Sequence, residues 1–200
     1  MDRPDAKTYE QPSDVALMMR VRRGDELAFE ALHTRYQRKL LDFFYGLARD
    51  PQLASELCQE TFLRVWLVRQ RYRALGSFPG YLFGIARMVW LERKRSLRKI
   101  WRLGRREELA EDALASPDRW PDACAAQGEL RAQIFGALEA LPEEQRIVFV
   151  MRNIRGLSLN DIASALDCPV NTVRSRKILA VKKLRHLLSP VFSSRADRVV

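Results

Sequence analysis

The stretch GLSLNDIASALDCPVNTVRSRKILAVKKL, residues 156–184, decides the fold. Ser158 is a natural N-cap, because its hydroxyl can accept from an orphan amide of a first helical turn. Leu159, Ile162, Ala163 and Leu166 then fall on one face of a short helix. Asp167-Cys168-Pro169 makes a tight turn, and a second helix follows with Val173, Ala180 and Leu184 inward, at spacings of seven and four. Ala163 is small where the two helices must cross closely. Asn171, Thr172, Arg174 and Ser175 fall on the exposed N-terminal half of the second helix. There a recognition helix reaches base edges, and arginine can bond guanine at two points. A helical hairpin packed for its own sake would leave the same arginines solvated. The basic face and the polar Asn-Thr-x-Arg-Ser start favour a helix-turn-helix that binds DNA.

The rest of the chain is consistent with that partner. A net charge of +10 over 200 residues biases binding toward a polyanion. Apolar content of 47% with 9% aromatics is globular, enough for one ordinary domain or two small ones. Three cysteines (Cys58, Cys124, Cys168) and two histidines (His33, His186) form no metal-ligand spacing and no disulfide framework, which fits a reducing cytoplasm. The polar N-terminus has no signal-like pattern, and no apolar run approaches the ~18 residues that span a bilayer, so no membrane insertion is expected. No Ser/His/Asp grouping, phosphate-cradling glycine loop or metal cluster is present, so no enzyme, catalytic residue, metal, cofactor or small-molecule substrate is expected.

Periodicities of three and four dominate, which predicts an all-α chain. Ser13-Asp14 and Gly24-Asp25 are capping patterns ahead of Val15, Met18, Val21 and of Ala28, Phe29, Leu32, Tyr36, Leu40, Phe43, Phe44. Asp50-Pro51 opens a helix with Leu53, Leu57, Val65 and Val68 on one side, and with Glu56, Gln59, Glu60 and Arg64 in one polar row. That row is either a solvated face or a docking surface. The loop RQRYRALGS leads to Phe78-Pro79, where proline suits a first helical turn. In that helix Leu82, Ile85, Ala86 and Val89 can face inward, leaving Tyr81, Arg87, Trp90, Arg93 and Lys94 opposite, with Tyr72 and Phe78 just before. These rings are either core or a platform on which unpaired bases stack beside phosphate-tracking cations. A basic run, Arg93 to Arg106, gives way to an acidic one with Pro117 and Pro121, which reads as a linker. A helix over Leu130 to Leu141 ends at Pro142, and another through Ile147 and Met151 stops near Gly156.

Four elements in this order, GDELAFEALHTRY, ELCQETFLRVW, FPGYLFGIAR and LPEEQRIVFVMRNIRGLSLNDIASALDCPVNTVRSR, resemble bacterial RNA polymerase sigma factors of the sigma-70 family, extracytoplasmic-function type. The likeness spans roughly Val15–Arg98 and Leu130–Leu188. It implies two small helical domains joined by a flexible linker: region 2 over residues 13–98, a linker over 99–128, and region 4, the helix-turn-helix, over 129–190. It further implies that Glu56, Gln59, Glu60 and Arg64, with Trp66 nearby, dock on the β′ clamp of core polymerase. Arg71, Tyr72, Arg73, Ser77, Phe78, Tyr81, Arg87, Trp90 and Lys94 would meet the −10 element, with the 71–77 loop receiving a flipped base. Asn171, Thr172, Arg174, Ser175 and Arg176 would read the −35 element. The partners implied are core polymerase through β′ and β, promoter DNA and an anti-sigma factor. The alternative is a stand-alone helix-turn-helix regulator with an N-terminal dimerisation or sensing domain, which would bind duplex operators alone.

The chain departs from that pattern in places. Ala54-Ser55-Glu56 carries one acid fewer than usual, so phosphorylation at Ser55 or Thr61 would restore negative charge. Met88 and Glu92 replace a usual Asn and Asp. Lys177 stands where an apolar residue is usual, and Ile178, Leu179 and Val181 stand where polar ones are, so this face is expected to pack on a partner or on the C-terminal tail.

Overall fold

The computed structural model describes residues 12–102, 133–154 and 156–196, and every regular element among them is helical. The first unit comprises α1 (Asp14–Arg22), α2 (Glu26–Ala48), α3 (Pro51–Leu67), a 3-10 turn (Arg69–Arg71) and α4 (Phe78–Arg102). The second comprises α5, described over residues 133–139, then α6 (Glu143–Phe149), a π-helical turn (Val150–Ile154), α7 (Leu159–Leu166) and α8 (Val170–Ala196).

Each start in the first unit has its cap. Ser13 Oγ accepts from Ala16 N at 3.2 Å, and Asp25 Oδ1 from Ala28 N at 3.0 Å. Asp50 Oδ1 accepts from Gln52 N and Leu53 N at 2.8 and 3.1 Å, with Pro51 at the first helical position. Such caps satisfy amides that the helix cannot, each worth about 1 kcal/mol. Between α1 and α2 the chain reverses through Gly24 at φ +93°, which glycine adopts without steric penalty. Asp14 clips the two helices together by accepting from Arg35 Nη1 at 2.8 Å and from the Tyr36 hydroxyl.

The α2 helix packs on α3, and α3 on α4. Their buried stripes are Leu32, Leu40, Phe43 and Phe44 from α2, Leu57, Phe62 and Val65 from α3, and Leu82, Phe83, Ile85, Ala86 and Val89 from α4. Phe43 meets Phe44 and Phe83 edge-on at 5.1 and 5.3 Å between centroids, the geometry that ring quadrupoles prefer. The expected inward face of α4 is therefore correct, with Phe83 added. Thr61 is fully buried, its hydroxyl donating to the Leu57 carbonyl at 2.7 Å, so it is not available for phosphorylation in this fold; Ser55 is exposed. Cys58 is a buried free thiol that burial pushes up to about 12.

The α7–α8 pair forms as its sequence predicts. Ser158 and Asp161 make a reciprocal capping box, with Asp161 N donating to Ser158 Oγ at 3.0 Å. The turn passes through Asp167 at φ +49°, left-handed backbone in which aspartate is enriched. Leu138 and Leu141 pack against Ala180 and Leu184 to close a second core. Ile178 and Leu179 are exposed and Val181 half-buried, and among the described residues none covers that face.

The two units pack directly on one another, an arrangement that no periodicity predicts. α7 lies across α4, and the π-helical turn rests on α2. Tyr45 meets Phe135 edge-on at 5.3 Å, and Arg49 pairs with Glu139 at 3.5 Å. One apolar cluster runs without a break from Leu17 to Val173. Of the linker expected over 99–128, residues 99–102 continue α4 and the remainder lies outside the described residues, as does Cys124.

Candidate nucleic-acid interface

α4 carries two unlike faces. One is the core stripe just described. The other begins with Gly80 and Gly84, four residues apart, and continues into Arg87, Trp90 and Lys94. The glycines are where α7 comes closest. A Cβ on Gly80 would stand 3.3 Å from both the Asp161 carbonyl oxygen and Ser164 Cβ. One on Gly84 would stand 3.4 Å from the Ala165 carbonyl oxygen. Gly76, four residues earlier, faces Ser164 Oγ at 3.8 Å. A stripe at 76, 80 and 84 thus meets the small residues of α7. That spacing, visible in GSFPGYLFG, was the available signal for the contact.

Polar groups flank this seam. The Ser77 hydroxyl donates to Asp161 Oδ1 and accepts from Gly80 N at 3.1 Å, so it caps α4 and ties it to α7 at once. Farther along, Glu143 accepts from Trp90 Nε1 at 2.6 Å, from Arg146 Nη2 at 3.0 Å and from the Lys94 ammonium. Glu144 Oε1 accepts from Arg87 Nη2 at 2.9 Å, and its Oε2 lies 3.1 Å from Arg176 Nη1 on the recognition helix. Arg146, nearly buried, also lies 5.9 Å from the centre of the Trp90 ring.

Burial pushes the Glu143 carboxyl up, but the hydrogen bonds from Lys94, Trp90 and Arg146 outweigh it and hold the carboxyl below its usual range. A depressed carboxyl contributes stability that is complete above the usual carboxylate range and is lost as pH falls through the depressed value. Glu143→Gln is therefore expected to be less stable than the parent at neutral pH, with the gap closing on acidification. Denaturant unfolding at a series of pH values measures this, and a pH-independent gap would remove the charge of Glu143 from the account.

The expected −10 residues divide by position. Tyr72, Phe78 and Trp90 are buried, so of the two readings left open for these rings the structure takes the core one for all three. Phe78 packs edge-on to Tyr36 at 5.2 Å, and Tyr72 to Tyr81 at 4.9 Å, because rings this large exclude more water inside than any loop position allows. Trp90 is covered by α6. Tyr81 is half-buried, and burial pushes both the Tyr72 and Tyr81 phenols up. Arg87 and Lys94 are half-buried in the ion pairs above. Arg71 and Arg73 are exposed beside Leu75, an apolar loop tip that sequence reasoning passed over and that is 88% exposed.

On the recognition helix Asn171, Arg174 and Ser175 are exposed, Thr172 and Arg176 half-buried. Arg174 Nη1 donates to Asn171 Oδ1 at 3.2 Å, a weak tie across one turn that leaves the guanidinium in solvent.

The polar row of α3 lies on a different face. Glu56 and Gln59 are exposed, Glu60, Arg64 and Trp66 half-buried. Arg64 bridges Glu60 and Glu92, each at 2.6 Å, and Glu56 faces Arg93 at 3.6 Å. Trp66 is set by the Phe29 ring at 5.1 Å and by Arg69 at 4.2 Å over its face. Leu63 and Leu67 stand exposed along the same helix, an i, i+4 apolar pair missed beside the charges. No helix among the described residues is long and apolar enough to cross a membrane.

Comparison with known proteins gives three concordant results. The family model for Sigma-70 region 2 matches residues 32–100, and that for Sigma-70, region 4 matches residues 131–184. The chain is 33% identical over 199 residues to the RNA polymerase sigma-H factor of Pseudomonas aeruginosa, covering 90% of this chain and 96% of that one. It is 31% identical over 196 residues to the ECF RNA polymerase sigma-E factor of Escherichia coli, covering 91% and 97%. Its fold is similar to that of CnrH, solved in complex with the cytosolic domain of CnrY, with TM-score 0.67, 23% identity, and 90% and 99% of the two chains covered. It is also similar to that of sigma factor RpoE, solved with anti-sigma factor NepR from Bartonella quintana, with TM-score 0.64, 20% identity, and 80% and 96% covered.

Proposed function

The chain belongs to the extracytoplasmic-function sigma factors of the sigma-70 family, and from that premise we propose how its surfaces divide the work of transcription initiation. It is an initiation factor, with no reaction of its own. Region 2, taken as residues 13–98, docks on the β′ clamp of core RNA polymerase through Glu56, Gln59, Glu60, Arg64 and Trp66, with Leu63 and Leu67 as the apolar part of that surface. Its 71–77 loop and the Tyr81, Arg87 and Lys94 side of α4 meet the −10 element. Region 4, residues 129–190, reads the −35 element with Asn171, Thr172, Arg174, Ser175 and Arg176. The segment over 99–128 joins them along the polymerase. The work is done in the cytoplasm, under an anti-sigma factor that holds the chain inactive.

The observation that carries this reading is the presence on one chain of a ring-and-cation helix and, downstream, of a helix-turn-helix with Asn171, Arg174 and Ser175 exposed. Cations supply phosphate attraction and the recognition helix supplies base contacts. A stand-alone regulator needs only the second.

Reconstitution with core polymerase tests it, on a target promoter supplied as closed duplex and with the −10 region pre-melted. The wild type is expected to initiate on both. Arg174→Ala is expected to lose about 1–3 kcal/mol of discrimination at one −35 base pair, the worth of one bidentate contact. Specific duplex binding without core, and no initiation with it, would favour the regulator instead.

A further inference from the structure

The recognition helix α8 carries seven arginines and lysines and not one carboxylate over Val170–Ala196, so its outer face suits a polyanion. Two apolar residues interrupt that face. Ile178 is 60% exposed and Leu179 51%, while Val173, Ala180 and Leu184 fill the core from the opposite side of the helix. Ile178 is the more central of the two. It follows Arg174 and Ser175 by four and three residues and precedes Lys182 by four, so these exposed side chains share one row. A protein surface seated on Ile178 would have to desolvate the cations on either side of it, with no carboxylate on α8 to offset them. A DNA duplex brings the compensating charge with it.

The position also suits a groove. At about 1.5 Å per residue, Ile178 stands roughly 10 Å along the helix axis from Asn171, within the about 12 Å width of a major groove. Arg185, exposed and as far again toward the C-terminus, would then lie over the phosphate rim. The apolar group that a major groove offers is the C5-methyl of thymine. We infer that Ile178 is a specificity residue of the −35 reader, whose side chain packs on a thymine methyl one turn beyond the base contacts of Arg174 and Ser175. The inference rests on the proposed function and adds to it a contact of different chemistry. Arginine reads acceptors on guanine, whereas Ile178 distinguishes a T·A pair from a C·G pair, which presents an amino donor in place of the methyl. A β-branched side chain is stiff about its first torsion, so little rotamer freedom is lost when it docks.

The test uses holoenzyme formed from the full chain and core polymerase. The wild type first selects its −35 element from a duplex randomised over that region. Each thymine of the selected element, on either strand, is then replaced singly by deoxyuridine, which pairs with adenine as thymine does and lacks only the methyl. At one position the wild type is expected to bind the uracil duplex about fourfold more weakly, the worth of one buried carbon group. Ile178→Ala is expected to bind the thymine and uracil duplexes equally at that position. Ile178→Val, which keeps a β-branched apolar contact, should retain the discrimination. So should Leu187→Ala, which removes another exposed apolar residue nine positions farther along α8. A selected element without thymine, or one whose uracil sensitivity is the same in wild type and Ile178→Ala, would overturn the inference and leave the proposed function standing. Failure of the wild type to enrich any −35 sequence would sink the proposed function, and this inference with it.

Discussion

Phe83→Ala is expected to lower the unfolding free energy by about 3–5 kcal/mol, the usual cost of deleting a fully buried ring. Phe83 is completely buried, on the core side of α4, with its ring edge-on to Phe43. Truncation removes that contact and leaves a cavity that Phe43, Phe44 and Leu40, themselves fully buried, cannot collapse to fill without leaving their own rotamers. Against a typical total stability of about 5–15 kcal/mol the loss is severe. Each kcal/mol lowers the melting temperature by roughly 2–4 °C in a chain of this size. Leu75→Ala is the matched comparison, since Leu75 sits at an exposed loop tip and its loss should stay within about 0.5 kcal/mol. Thermal and urea unfolding of both variants decides the matter. Equal destabilisation of the two would mean that the ring cluster does not hold the first unit together.

Much of the fold was legible because each helix announces itself locally. Ser13, Asp25, Asp50 and Ser158 cap the helices that they were expected to cap, since capping depends only on residues two or three positions apart. The inward residues of α4, α7 and α8 follow from a period set by helix geometry. What remained hidden is everything that depends on two distant segments meeting. Phe83 reads as one more apolar residue until Phe43 is placed beside it. Trp90 could not be assigned by spacing because its burial comes from α6, more than fifty residues away. Glu143 and Glu144 look like the ordinary acidic start of a helix, and nothing local says that they face Arg87, Lys94 and Arg176. The candidate DNA surface was therefore legible as a set of residue types, and the contacts that cover it were not.

Gly84→Leu is expected to prise α7 from α4 altogether while leaving the first unit folded. Gly84 stands about a quarter-turn round α4 from Phe83 and faces Ala165 of α7, whereas Phe83 faces Phe43, so its replacement is aimed at α7 and not at the ring cluster. A Cβ there meets the Ala165 carbonyl oxygen at 3.4 Å, already snug, and the branched end of leucine would have to occupy the volume of the α7 backbone. Backbone cannot give way as a flexible side chain can, so the helices must separate or α7 must unfold. Gly84→Ala discriminates between a tight seam and a merely glycine-lined one. It adds no atom beyond that Cβ and gains about 0.5–1 kcal/mol of helix propensity, so it should be neutral or stabilising. Small-angle scattering and circular dichroism distinguish the outcomes: an expanded particle with near-parental helicity for leucine, a parental particle for alanine. A leucine variant as compact as the parent would show that the units do not pack through this stripe. Because no charge changes, the expansion reports on the steric fit of the two helices alone.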